Sequence, residues 1–285
     1  MTTLSVQLVV ALAILTAGAV VVAAVSRLGT ARADAVAVGR AVAQLALVSL
    51  VLTAVLGHVA WSLAFAVVML AVAVGTSARR IGVGRAWPWV LLALASGAVP
   101  VLGVIFASGA VPWSGPAIVP MAGIIIGGCM SANSLNGRRC FTALREERDA
   151  YEGALALGLP EPVAIRLVIS RHRPEALVPG LDQTRTVGLV TLPGAFVGVL
   201  LGGGSPAQAG AAQLLVLVGL LVAQTVVVVV GARLIEEGRL VPTDLLPAAR
   251  RTSAPRAAGG HGPFSLDSGS GPETEPGAPR NPPSR

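Results

Sequence analysis

The chain has 285 residues, 54% of them hydrophobic and 12% charged, with a mean hydropathy of +0.76. A soluble domain carries about 25% charged residues, so this composition excludes an ordinary water-soluble globule and points to a bilayer as the main solvent. The net charge of +7 comes from 21 arginines, with no lysine, against 14 acidic residues; it reads as the basic flanks of membrane spans and not as a nucleic-acid surface.

Met1–Gln7 holds no basic residue ahead of the first apolar run. A secretory leader would, so segment one, Val6–Val25, is expected to be a retained span. Arg27, Arg32 and Arg40 follow it, with Asp34 among them. Segments two and three, Ala41–Leu56 and Val59–Val74, are separated by Gly57 and His58. Together they exceed the roughly 20 residues of one crossing, and Gly57 permits a tight turn between them. Arg79, Arg80 and Arg85 come next, then segment four, Trp89–Ala107. Trp87, Trp89 and Trp113 lie near its ends or in the following loop, as interfacial aromatics do. The loop 108–116 is uncharged, and segment five is Ala117–Leu135.

A polar insert, Asn136–Thr186, then carries seven of the 14 acidic residues and eight arginines. Segment six, Val187–Leu201, and segment seven, Ala211–Ala232, are joined by an uncharged loop, and Arg233, Glu236, Glu237 and Arg239 follow. Charge thus occupies alternate connections only. The positive-inside bias then orients the chain with its N-terminus out and its C-terminus in. The expected architecture is an all-α polytopic membrane protein of about seven helices. Residues 1–240 form the membrane domain, with a cytoplasmic helical insert at 138–185 between helices five and six. Residues 241–285, rich in Pro, Gly, Ser and Ala, are expected to be a disordered cytoplasmic tail.

Gly202–Pro206 is glycine-rich but lacks the Gly-Lys-Ser/Thr that holds phosphate and magnesium, so ATP hydrolysis is not expected on this chain. No ionisable residue falls in the middle of a segment, which disfavours a proton-driven carrier. His58 and His172 lie outside the spans. Cys129 and Cys140 make neither a zinc pattern nor an expected disulfide in a reducing compartment. Segment five carries Pro120, Gly123 and Gly127, and segment six carries Pro193, Gly194 and Gly198. Glycines four apart flatten a helix face, and proline frees a carbonyl and kinks the helix. These positions read either as static packing or as helices lining a moving pathway. Met121, Met130 and Asn133 are further soft or polar groups of segment five assigned to that pathway.

Within the insert, Phe141, Leu144, Tyr151 and Leu155 mark an amphipathic helix from Arg138 to Leu157, supported by Arg145–Asp149 and Arg148–Glu152 at i,i+4. Gly158 and Pro160 end it. A second helix is expected from Pro162, with Val163, Leu167 and Val168 on one face, ended by Pro174 and Pro179. Such a hairpin lies on the membrane or docks on a cytoplasmic partner.

The pieces EGALALG (152–158), ALVPGLD (176–182), VGLVTLPG (187–194) and LGGGSP (201–206) together give the resemblance. The chain resembles the FetB-like ABC transporter permeases, linked to iron export and related to plant aluminium-tolerance permeases. The resemblance implies a homodimeric permease in a bacterial plasma membrane that pairs with a cytoplasmic ABC ATPase. ATP and Mg would sit on that partner, this chain would bind no cofactor, and its metal ligands stay unassigned. It also implies that Glu152, Gly158, Leu177, Pro179 and Asp182 couple the two chains. The family pattern places asparagines where Gly128 and Ser131 stand here. Other readings of the residues are an ABC permease for a non-metal solute, an ATP-independent channel or carrier, and a membrane scaffold.

Overall fold

Six helices have the length and apolarity to cross a bilayer in the computed structural model, which describes residues 6–242, 244 and 245. In chain order the elements are α1 (Val6–Val25), α2 (Ala31–Val55), α3 (Val59–Arg80), a 3-10 turn (Gly84–Ala86), α4 (Trp87–Ala107) and α5 (Gly115–Glu146). Then come α6 (Arg148–Ala156), α7 (Glu161–Ile169), a second 3-10 turn (Arg173–Leu177), α8 (Val178–Thr186), α9 (Gly194–Leu201) and α10 (Pro206–Glu236). The six candidate spans are α1 to α5 and α10.

The first segment and the turn at Gly57–His58 fall where the sequence places them. Other helices run past their apolar stretches. Nothing in 31–40 breaks a helix, so α2 begins at Ala31 and carries Arg32, Asp34 and Arg40 on its first turns. At about 1.5 Å per residue, the 32 residues of α5 and the 31 of α10 exceed a hydrocarbon core of about 30 Å and project beyond it.

Segment six is the correction. It is not a seventh continuous helix. Residues 187–193 are non-helical, and α9 has eight residues, about 12 Å, too short to cross alone. Gly188 takes φ 80°, a small bridge joins Val187 to Thr191, and Pro193 caps α9 at ψ 157°. Proline lacks the N–H a continuing helix needs, and hydropathy is blind to that break. The chain passes from the insert to the start of α10 through α8, the break and α9 in series. The insert also differs from a simple hairpin. Its first helix is the continuation of α5, interrupted once at Glu147. Pro174 and Pro179 begin elements and do not end them, as proline does at the first helical position.

α10 is the central helix, packed on α4 and α5, with α3 against α5. Val90, Leu94, Ile125, Val227 and Ile235 are fully buried between them. Gly97 of α4 lets α10 approach to backbone contact. A Cβ there would strike the Ala223 carbonyl oxygen and stand 2.6 Å from Val227 Cγ2. At one end of the bundle, Ser62 Oγ donates to the Val55 carbonyl at 3.0 Å, and Trp113 Nε1 donates to the Phe106 carbonyl at 3.2 Å. Among the described residues that end carries no Asp, Glu or Arg. At the other end, Arg239 lies 4.7 Å over the Trp89 ring and the insert packs on the ends of α5 and α10. Of the expected tail, residues 241, 242, 244 and 245 are described. Asp244 accepts from Arg145 at 2.7 and 3.0 Å, and the rest of the tail lies outside the described residues.

Candidate functional site

Two groups of buried polar side chains flank the broken crossing. The first ties the insert to the membrane helices. Glu236, at the end of α10, is 4% exposed and takes Arg166 Nε at 3.0 Å and Nη2 at 2.9 Å. Arg173 pairs with its other oxygen. Arg166 is on α7 and Arg173 opens the second 3-10 turn, so one carboxylate clamps two parts of the insert to α10. Burial pulls the Arg173 guanidinium below its ordinary value. A second knot sits at the α5–α6 break. Glu147 pairs with Arg171, His172 Nε2 lies 3.0 Å from its Oε1, and Glu175 joins His172 to Arg139. The His172 hydrogen bond, and then Arg171, hold the Glu147 carboxyl below the usual carboxylate range.

The second group is a seam of neutral groups inside the bundle. Asn133 Nδ2 donates to Ser77 Oγ at 2.9 Å, which lies 3.1 Å from Ser134 Oγ. Asn133 Oδ1 and Asn136 Nδ2 have no hydrogen-bond partner among the described residues, although each residue is 1% exposed. Both face Gly231 of α10, where a Cβ would stand 3.0 and 3.3 Å from them. About two turns along α10, Gln224 fills the gap between Gly128 of α5 and Gly180 of α8, and its Oε1 is also unpartnered. The Oε1 of Gln213 is unpartnered too. A buried amide left unbonded costs about 1–3 kcal/mol, so a row of them at membrane depth asks for a reason beyond packing. Amide oxygens are weak, neutral donors for hard cations. Among the described residues no three His, Cys, Asp or Glu side chains gather into a metal site.

The residues singled out from sequence are distributed unevenly. Asn133 is in the seam. Met121 and Met130 are half-buried and pack on the main core. Gly123 faces Met69, while Gly127, Gly194 and Gly198 meet no atom within 4 Å. The close helix contacts use Gly97, Gly128 and Gly180 instead. Pro193 caps α9. In the insert, Glu152 is exposed on α6 and pairs with Arg148 at 2.6 Å, as the i,i+4 spacing predicts. The expected Arg145–Asp149 pair gives way to Arg145–Asp244 because the helix breaks between its members. Gly158, at φ 82°, turns the chain from α6 to α7. Leu177 is half-buried beside Ala176, and Pro179 and Asp182 are exposed on α8.

The buried face of α7 is Ala164, Ile165, Val168 and Ile169. Of the residues expected to share one face, Val163 and Leu167 are 40% and 59% exposed, and Val168 is buried. With Leu155, Leu157 and Leu159 they make an exposed apolar tip on the α6–α7 hairpin. Gln213, Gln224 and Glu236 went unrecognised in the sequence. The two glutamines stand eleven residues apart in an apolar run, about three helical turns, and that spacing was their signal.

A family model described as "Uncharacterised protein family (UPF0014)" matches residues 5–238. The rice protein named "UPF0014 membrane protein STAR2" is 30% identical over 211 residues, 73% of this chain and 74% of that protein. The Escherichia coli "Probable iron export permease protein FetB" is 30% identical over 182 residues, 63% of this chain and 70% of its own length. The Arabidopsis thaliana "Protein ALUMINUM SENSITIVE 3" is 32% identical over 106 residues, 37% of this chain and 39% of that protein. No solved structure matches significantly.

Proposed function

The chain belongs to the UPF0014 family of membrane proteins, and on that footing we propose that it is the permease subunit of an ABC transporter. In this reading it exports iron or another metal ion with ATP hydrolysed on a separate subunit. The relative named as an iron export permease supports the cargo class. The observation that carries the reading is the exposed apolar tip of α6–α7, around Gly158 and beside Glu152. Apolar side chains projecting from a charged cytoplasmic hairpin suit docking on another protein. The ATPase, with its Mg and ATP, seats on this tip. Its motion passes to α10 through Glu236 and to the broken crossing through Leu177, Pro179 and Asp182. The amide seam offers the cargo oxygen contacts too weak to trap it. The charged end faces the cytoplasm of a bacterium, by the positive-inside bias.

Purification from the native host tests the coupling. An ATPase chain is expected to co-purify, and Leu157→Arg or Glu152→Arg is expected to cut transport at least tenfold. Co-purification of no ATPase, together with intact transport by both variants, removes the reading. Metal content of a deletion strain tests the cargo.

Two copies complete the unit. Leu189, Val190 and Leu192 are 89%, 79% and 62% exposed beside non-helical backbone, and the Leu192 N–H has no partner among the described residues. Irregular backbone is not tolerated against lipid. A second copy covering residues 187–201 removes that exposure. Oxidation in membranes is expected to cross-link Leu189→Cys into a dimer in high yield. Leu45→Cys on lipid-facing α2 is expected to stay monomeric. Equal cross-linking at the two positions refutes this interface.

A further inference from the structure

A groove of about 340 Å³ opens between α3 and α4. Its lining is Val67, Leu70, Ala71, Val74 and Gly75 of α3, with Trp87 and Leu91 of α4. Ala71 and Gly75 are too small to close the space between the helices. The groove runs along α3 for about 12 Å, the rise of eight residues, from within the membrane to its charged end. At that mouth, Arg79 folds back along α3, its Nε donating to the Gly75 carbonyl at 3.1 Å. The guanidinium is thereby held at the groove's edge, its Nη2 3.8 Å from where a Gly75 Cβ would stand. Trp87, 53% exposed, stands at the same mouth, where interfacial aromatics sit.

The charge balance here differs from that of the insert. Arg139, Arg145, Arg148, Arg166, Arg171 and Arg173 all pair with carboxylates. Arg79, Arg80 and Arg85 have no acidic partner among the described residues. An apolar groove that ends at three uncompensated cations is complementary to an amphiphile with one anionic head.

We propose that this groove binds an anionic phospholipid. One acyl chain lies between α3 and α4 over Ala71, and the phosphodiester sits on Arg79 with Arg80 and Arg85 around it. The fork of guanidinium donors suits a phosphate, and a zwitterionic head would bring a cation into an already positive mouth. This inference rests on the membrane-spanning fold alone and stands or falls apart from the transport reading.

The test uses the full chain in detergent, titrated with dioctanoyl phosphatidylglycerol, dioctanoyl phosphatidylcholine or glycerol phosphate, with occupancy read by native mass spectrometry. Phosphatidylglycerol is expected to bind saturably and at least fivefold tighter than phosphatidylcholine. Arg79→Gln is expected to weaken phosphatidylglycerol about fivefold and erase the preference, the effect of one basic residue near an anionic lipid. Ala71→Trp, which fills the groove, is expected to abolish binding of both lipids. Arg27→Gln, remote from the groove, is expected to leave the preference intact. Arg79 is exposed, so its variant disturbs no packing and the test does not depend on Ala71→Trp folding. Equal affinity for the two lipids overturns the proposal. So does an equal loss in Arg27→Gln, which means a general surface charge effect, or full competition by glycerol phosphate, which means no acyl site.

Discussion

Glu236→Ala is expected to cost about 3 kcal/mol of stability, with the loss concentrated in the insert. The carboxylate is buried between Arg166 and Arg173, and removing it leaves two guanidinium groups facing one another with no anion. Breaking a buried pair from one side is among the most damaging single changes a protein suffers, because the surviving charge is stranded. Arg166 is largely exposed, which sets the effect at the lower end of the range. Limited trypsin digestion of the purified chain reads it directly, since release of the insert opens Arg166 and Arg171, followed by Leu167 and His172, to cleavage. In transport assays the same variant is expected to keep its ATPase partner and lose coupled transport. Arg148→Ala is the contrast. Its pair with Glu152 is exposed on both sides, and its removal is expected to leave stability nearly unchanged. If Glu236→Ala is no worse than Arg148→Ala, the clamp holds nothing.

Gly97→Val is expected to be comparably severe, about 3 kcal/mol, by a different route. The obstacle at Gly97 is the backbone carbonyl of Ala223, which has no rotamer to retreat into. α4 and α10 must then separate along a contact that buries Val90, Leu94 and Val227. Gly127→Val, on open space, is expected to change the thermal midpoint little. A loss at Gly127 equal to that at Gly97 would mean that helix propensity, not close approach, governs both. The comparison also separates two kinds of glycine that look alike in sequence.

That distinction marks where the sequence stopped being readable. The number and order of apolar stretches, the hairpin at Gly57–His58 and the one-sided arginines were all legible, because each is a property of composition along the chain. The broken crossing was not. Residues 187–201 are as apolar as a span, and the break comes from the conformations of Gly188 and Pro193, to which hydropathy is insensitive. The glycine pairs Gly123–Gly127 and Gly194–Gly198 had the right spacing, but spacing says nothing about which helix stands opposite. Asn133 was found because it is polar in an apolar segment. Glu236 was passed over because it follows Arg233 in what reads as an ordinary charged flank, and its partners Arg166 and Arg173 lie far away in the chain. The three apolar positions expected on one face of α7 divide in the structure, Val168 inward and Val163 and Leu167 outward, because the helix is apolar around most of its circumference.

The break between α8 and α9 also sets the order in which strain travels. Seven residues occupy about 10 Å when helical but reach about 23 Å when drawn out. A helix is a strut that carries push and pull alike. A strap of this kind carries tension only, and only after its slack is taken up. In the proposed transporter, movement of the insert reaches α10 through the Glu236 clamp before it reaches α9. The two ends of one covalent stretch are joined by a tether whose full reach is about 23 Å.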